Sequence, residues 1–269
     1  MKKLSAAERL ELSPQRYRRL VRKGDWKKET FGVCRGHALT DLIIVPKEYA
    51  YDCLAFCNLN RQALSVVDIT EIGSPHPKNL APDADIRTDL PRYIVYKDGK
   101  IVDEPTDIIK YWRDDLVGFL LGCSGSFDWA LREANIQPRS NGVFSTKIAC
   151  TSYGIFHGSI AVSCRIFKNS AETVRAIQIS SRHHRMHGPP IHIGDPAAIG
   201  IQDVSRPDLI HPWGGLAPTI PSKEEVALFW PCSATIRGVA LKSKIPFMIV
   251  DHLRCMLVTN ALAEELSIF

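Results

Sequence analysis

Three stretches of this chain carry side chains whose types and spacing suit chemistry. The first is "GCSGSFDWAL" (122–131). It reads as a strand that ends in small residues and feeds a helix. Backbone N–H groups at such a helix start have no partner within the helix and bind anions, carboxylates included. Ser124 and Ser126 add hydroxyl donors. Cys123 is a potential nucleophile whose pKa the same dipole would lower. The plain alternative is an ordinary strand-to-helix turn with Ser126 as its N-cap. Neither GxxxxGK[ST] nor GxGxxG occurs, so a nucleotide phosphate is not indicated.

The second stretch, "HHRMHGPPIHIGDPAAIGI" (183–201), holds four histidines and an aspartate among glycines and prolines. Histidine titrates near neutrality, which suits general acid–base work. A zinc site needs at least three converging ligands. None of these histidines makes an HExxH pair, and His187 and His192 are separated by an extended Gly-Pro-Pro segment. The prolines make the loop stiff, which serves a site whose groups must be held in place; a structural loop with one buried histidine is the bland reading. Third come two arginines. Arg87 in "DADIRTDLPRY" (83–93) is either neutralised by its aspartate neighbours or free to clamp a substrate carboxylate. Arg165 in "VSCRIF" alternates onto the face opposite Cys164 and Ile166.

The elements that must position these groups alternate in type. Residues 5–23 read as one amphipathic helix ending at Gly24, 39–46 as a buried strand stopped by Pro46, 47–60 as a helix and 63–70 as a second strand. That order implies a βαβ unit with a parallel strand pair. Residues 70–90 form a long connection. "RYIVYKDGKIV" (92–102) is a hairpin with an Asp-Gly turn. "PTDIIKYWRDD" starts a helix. The segment 115–136 is strand, turn and helix. "TKIACTS" and "GSIAVSCRIF" are strands, and "SAETVRAIQISSR" is a helix capped by Ser170. "EVALFWPCS" and "PFMIVDH" are strands flanking the helix-like "ATIRGVALKS". The fold class is mixed α/β. Residues 1–139 and 192–269 are expected to build a larger domain, with 140–191 a smaller insertion.

Bulk properties narrow the function classes. A chain of 269 residues, 45% hydrophobic and 23% charged, buries a sizeable core. No apolar run reaches the ~20 residues that span a bilayer, and the start lacks an apolar signal core; a cytoplasmic location is expected. Net charge is +5. It comes from residues 1–30, which hold ten Lys/Arg against four Asp/Glu. Without aromatic interleaving or a known recognition motif, that basic stretch reads as a solvated helix face rather than a nucleic-acid surface. The eight cysteines include no CxxC pair and read as buried thiols.

Several segments together resemble one family, the D-glutamate cyclases, also described as hydro-lyases. The resemblance runs from about residue 18 to 260. It is carried by "RRLVRKGDW", "LIIVPKEYAYDCLAFCNLN", "DADIRTDLPRY", "TDIIKYWRDDLVGFLLGCSGSFDWAL", "AVSCRIF", "HGPPIHIGDPAAIGI", "RPD" and "FWPCSAT". It implies a larger three-layer α/β domain with a smaller inserted two-layer α+β domain. It also implies elimination of water from a small amino acid or carboxylate, as when glutamate closes to 5-oxoproline. No cofactor or metal is implied. The expected partner is that small molecule, with neither nucleic acid nor membrane, and a homodimer is left open.

The chain also departs from the family pattern. Leu39 and Asp41 stand where Gln and Asn are expected, Gly125 and Asp128 where Phe and Glu are, Ser145 and Lys147 around Thr146 where the pattern reads "YRTN". Asp251 and Cys255 stand where two histidines are. Such polar exchanges retune a pocket built for one hydrogen-bond pattern. The resulting expectation is a lactam-forming or dehydrating site with altered substrate. His187 and His192 are its acid–base pair and Asp195 orients one of them. Ser124 and Ser126 supply oxyanion donors, and Cys123 is a covalent alternative. Asp128, Arg87, Arg165, Lys147 and Thr146 bind substrate. The competing readings are a β-elimination and a non-catalytic binder on the same scaffold.

Overall fold

The computed structural model describes residues 4–209 and 218–268. Helices α1 (Ala6–Leu10) and α2 (Pro14–Arg22) replace the single helix expected over 5–23. Ser13 caps the second helix and Pro14 opens it; proline suits a first turn and disfavours helix in the residue before it. One basic residue of α2, Arg18, turns inward, while Arg16, Arg19 and Arg22 stay exposed. Arg18 is 1% exposed and binds Asp83 and the Val258 carbonyl, and Arg22 binds Asp89.

Strand β1 (His37–Pro46) leads into α3 (Lys47–Leu59) and β2 (Val66–Ile69). The hairpin β3 (Tyr93–Lys97) and β4 (Lys100–Asp103) turns through Asp98 and Gly99, both at positive φ, as an Asp-Gly turn requires. Then follow β5 (Leu116–Gly122), α4 (Asp128–Glu133), β6 (Arg139–Ala149), β7 (Ser159–Phe167) and α5 (Ser170–Ser181). The chain closes with β8 (His192–Ile193), β9 (Val226–Cys232), α6 (Thr235–Lys242), β10 (Phe247–Asp251) and β11 (Leu257–Leu262).

Seven strands form one sheet in the order β2-β5-β1-β10-β3-β4, with β11 also on β1. Four form a second, β6-β7-β9-β8. The fold is mixed α/β with two antiparallel sheets. The expected parallel pair of β1 and β2 does not form. β5 lies between them and pairs antiparallel with β1 through seven residues, Thr40–Pro46, a longer ladder than β2 could offer. The second sheet takes β6 and β7 from the 140–191 segment and β8 and β9 from beyond it.

Three further expectations shift. The helix expected after residue 104 is only a tight turn at Ile109–Tyr111. Asp107 takes the Ile109 N–H and the Arg87 carbonyl takes that of Ile108, so the segment is held as loop. Asn169, not Ser170, caps α5 through the Glu172 N–H. β11 went unread in the sequence.

The main core lies between the large sheet (Ile43, Phe119, Val250), α3 (Phe56), the second sheet (Val162, Phe229) and α6 (Val239). The opposite face of the large sheet is covered by the long connection (Ala81, Ile86, Leu90) and by Ile108 of the loop after β4, packed on Leu42, Tyr93 and Ile249. A third cluster sets Phe127 and Leu131 against Phe167, Trp230 and Met186. No helix among the described residues is long and apolar enough to cross a membrane.

Candidate active site

The site begins with the way β1 shares its edge. β1 pairs with β10 at Ile43–Ile44 and with β11 at Leu39–Thr40. Where it changes partner, the Leu42 N–H is taken by a side chain, Asp251 Oδ1, at 2.9 Å. Asp251 ends β10 at 4% exposure, and its carboxyl hydrogen-bonds that of Asp41. Burial first, then the Asp41 charge, pushes the Asp251 carboxyl well above the usual carboxylate range; Arg237 and the Leu42 N–H offset this only in part. Two buried carboxyls this close hold one proton between them. The Asp251 side is the one pushed towards holding that proton, and Asp41 also accepts the Ser233 hydroxyl.

Asp41 forms part of the wall of a cavity of about 410 Å³, within the usual size range for small-molecule sites. Four arginines (132, 165, 237, 254) and two aspartates (41, 128) line it, so the wall favours an anion. Arg165 projects from β7 as the alternation required, with Cys164 and Ile166 on the core side. Its guanidinium donates to Asp128 at 2.6 Å and to Ser124 Oγ at 3.1 Å. It also stacks 4.9 Å from the Phe127 ring and 5.3 Å from that of Trp230. Arg237 of α6 donates to the Asp251 carbonyl at 2.8 Å. Arg254 bridges to Glu29 at 2.7 Å and lies 4.2 Å over Phe31.

The strand-to-helix corner enters this cavity through Cys123, Ser124 and Asp128, but its chemistry differs from the expectation. α4 has six residues and starts only at Asp128, behind a 3-10 turn over Ser124–Phe127. Burial, then Asp41, pushes the Cys123 thiol well up rather than down. Cys232, also on the wall, is pushed up to about 11 by burial. Ser126 is 1% exposed and spent on β1, accepting the Leu39 N–H and donating to the Leu39 carbonyl. At Gly125 a Cβ would fall 2.6 Å from Phe31 Cε1, so the ring of Phe31, itself on the wall, takes the space a side chain would fill.

The histidine loop divides. Its first part does meet the corner: at Gly122 a Cβ would lie 1.8 Å from the Arg185 carbonyl oxygen, so only glycine lets the two backbones touch. His187 follows in a left-handed conformation at φ 78 and is 1% exposed. Its Nδ1–H donates to the Gln62 carbonyl at 2.9 Å, which fixes the tautomer. Nε2 is buried with no partner among the described residues. Burial pulls its pKa down, with Asp41 opposing and Arg165 adding to the shift, so the ring stands neutral behind the site without lining it. The second part stays away. His192 Nε2 hydrogen-bonds the Asp195 main-chain oxygen at 2.6 Å, while the Asp195 carboxylate caps its own turn at Ala197. Neither lines the cavity.

Three other expected binders lie elsewhere. Arg87 forms a bidentate pair with Asp85 and faces Trp112, the self-neutralised alternative. Thr146 donates to the Ile160 carbonyl, and Lys147 is exposed on β6 beside Gly200. No group of three or more His, Cys, Asp or Glu among the described residues could hold a metal ion. Asp41 and Asp251 had been read only as departures. Ser163, Cys232, Ser233, Arg237 and Arg254 were not singled out. A signal existed for some: "FWPCSAT" is a second strand-to-helix corner, and Ser163 is the period-two neighbour of Arg165.

The cavity has the size of a small-molecule site, and comparison with known proteins places the chain in a family. Residues 117–260 match the family described as D-glutamate cyclase. "Putative hydro-lyase YcsI" of Bacillus subtilis is 41% identical over 264 residues, covering 96% of this chain and all of its own. "Putative hydro-lyase" of Rubrobacter xylanophilus is 40% identical over 257 residues, covering 93% and 96%. The chain belongs to the D-glutamate cyclase family of hydro-lyases. Among solved structures, the nitrogen repressor-like protein MJ0159 from Methanococcus jannaschii aligns over 82% of this chain and 87% of its own at TM-score 0.36 and 9% identity, too distant a likeness to bear on function.

Proposed function

We propose that the chain is a lyase that removes water from a small carboxylate-bearing amino acid by closing it to a lactam, with the Asp41–Asp251 pair moving the protons. The observation that carries this is the buried pair with one member on the wall of an arginine-lined cavity. Lactam closure from an ammonium and a carboxylate balances without an external acid or base. The nitrogen attacks the carboxylate carbon, the C–N bond forms and a C–O bond breaks. Both hydrogens of the departing water come from the ammonium group. The enzyme needs only to receive each proton and hand it on, and a pair holding one proton next to one charge is built for that. Asp41, which faces the cavity, takes the ammonium proton; Asp251, whose carboxyl burial pushes up, sits behind it as the proton reserve.

The arginines supply orientation and charge. Arg165 is fixed in plane by two aromatic rings and Asp128, a geometry suited to holding a second carboxylate. Arg237 and Arg254 lie on the same wall, where charge develops on the leaving oxygen. The family name supports glutamate as the model substrate, and Asp41, Gly125 and Asp251 support a retuned one. Incubation with a panel of D- and L-amino acids, read by mass spectrometry, tests this: loss of 18 daltons with retention of nitrogen supports cyclisation. Loss of 18 daltons to an unsaturated product favours β-elimination. Thermal stabilisation without mass change makes the chain a binder.

A further inference from the structure

We infer that Ser163 is a substrate-carboxylate ligand, forming with Arg165 a two-residue clamp on one strand face. This rests on the reading of the cavity as a carboxylate site. Ser163 and Arg165 are two apart on β7, so both side chains project from the same face, and both line the cavity. That face is firmly placed: Ser163 is paired with Val143 of β6 on one side and Trp230 of β9 on the other.

The hydroxyls near the cavity differ in how they are used. Ser124 Oγ accepts from Arg165, Ser126 Oγ is spent on Leu39, Ser233 Oγ donates to Asp41, and Thr235 Oγ1 accepts the Ala161 N–H. Ser163 Oγ is buried and has no partner among the described residues. A buried hydroxyl without a partner costs free energy, and alanine in its place would not. Its position beside Arg165 gives that cost a use. Arg165 engages Asp128 and Ser124 through its two terminal nitrogens and reaches the cavity wall as well. A carboxylate docked there accepts from the guanidinium with one oxygen and from the Ser163 hydroxyl with the other. The ligand class is a small molecule with a carboxylate distinct from the one that reacts.

The test compares wild type with Ser163→Ala, using glutarate, which has two carboxylates and no amine to cyclise, as a probe in thermal-shift titration. Without ligand, Ser163→Ala should melt at or above the wild-type temperature. Its affinity for glutarate should fall about tenfold or more, the loss expected for one hydrogen bond to a charged group. With a turned-over amino acid, KM should rise by a similar factor while kcat holds. A Ser163→Ala variant that melts lower, or that binds glutarate as wild type does, overturns the assignment. A wild type that glutarate does not stabilise overturns the site reading beneath it, and the two failures are thereby distinct.

Discussion

The Asp251 carboxyl hydrogen-bonds that of Asp41 from the neighbouring strand, at the point where β1 leaves β10 for β11. The strand split creates the Leu42 N–H that anchors Asp251, and burial makes the two carboxyls share a charge. In the proposed mechanism, a sheet irregularity thus becomes a proton-holding device.

Removing either carboxyl should disable turnover. Asp41→Asn and Asp251→Asn are each expected to lower kcat by ~10²-fold or more, the usual worth of a positioned acid–base group. Asp41→Asn should be the worse, since Asp41 faces the cavity. Steady-state kinetics on the substrate found by mass loss checks this. Retention of wild-type kcat in Asp41→Asn would remove the pair from the mechanism.

The raised Asp251 pKa also predicts a pH dependence of stability. The folded chain holds this proton more tightly than the unfolded one, whose value is near the ordinary 3.8. The contribution is complete below that value and is lost as pH rises towards the folded pKa. Urea midpoints should therefore fall from about pH 4 upward more steeply in wild type than in Asp251→Asn. Parallel curves would show that the pair is not protonated.

Cys123→Ala should keep kcat within a few-fold. Its thiol is buried and pushed well up, the reverse of what a nucleophile needs. Iodoacetamide labelling of the native protein at neutral pH should be slow at this position by peptide mass mapping. A trapped thioester on Cys123 would reinstate the covalent route.

Arg165→Lys should raise KM by about tenfold or more, because lysine cannot reproduce the planar fork held by Asp128 and two rings. Arg87→Ala should leave KM unchanged, since Arg87 is paired with Asp85 away from the cavity. Equal effects of the two on KM would disprove this division of labour.

His187 predicts the opposite limb of the pH curve. Burial lowers its folded pKa, so its contribution is present above the unfolded value near 6.5 and is lost as pH falls. His187→Gln, which can still donate to the Gln62 carbonyl, should flatten the loss of stability as pH falls below about 6.5 while keeping kcat within about tenfold, short of the ~10² worth of a proton-transfer group. A loss of kcat of ~10² or more would return the ring to the proton path.

How much was legible follows from the range of each signal. Local patterns named the β1, β5, β7, β9 and β10 segments, the Asp-Gly hairpin and the face of Arg165, because alternation and turn chemistry act over a few residues. The close approach of Gly122 to the Arg185 carbonyl was not legible, because it joins backbones 63 positions apart. The roles drawn from residue type alone fared differently. Histidine is a common acid–base residue, yet His192 spends its Nε2 on a backbone oxygen, and Asp195 caps a turn.

The sequence by itself determined the family, the mixed α/β class and most strands, since these depend on periodicity and on long specific motifs. Only the tertiary structure decided which residues line the cavity. Asp41 and Asp251 are 210 positions apart in the chain, and what they do comes from their neighbours. Antiparallel strand order brings their carboxyls together, burial pushes that of Asp251 well up, and the packing of α6 and β7 sets arginines and Ser163 around the cavity that Asp41 lines. A pKa and a shared cavity are properties of surroundings, and no pattern along the chain encodes them locally.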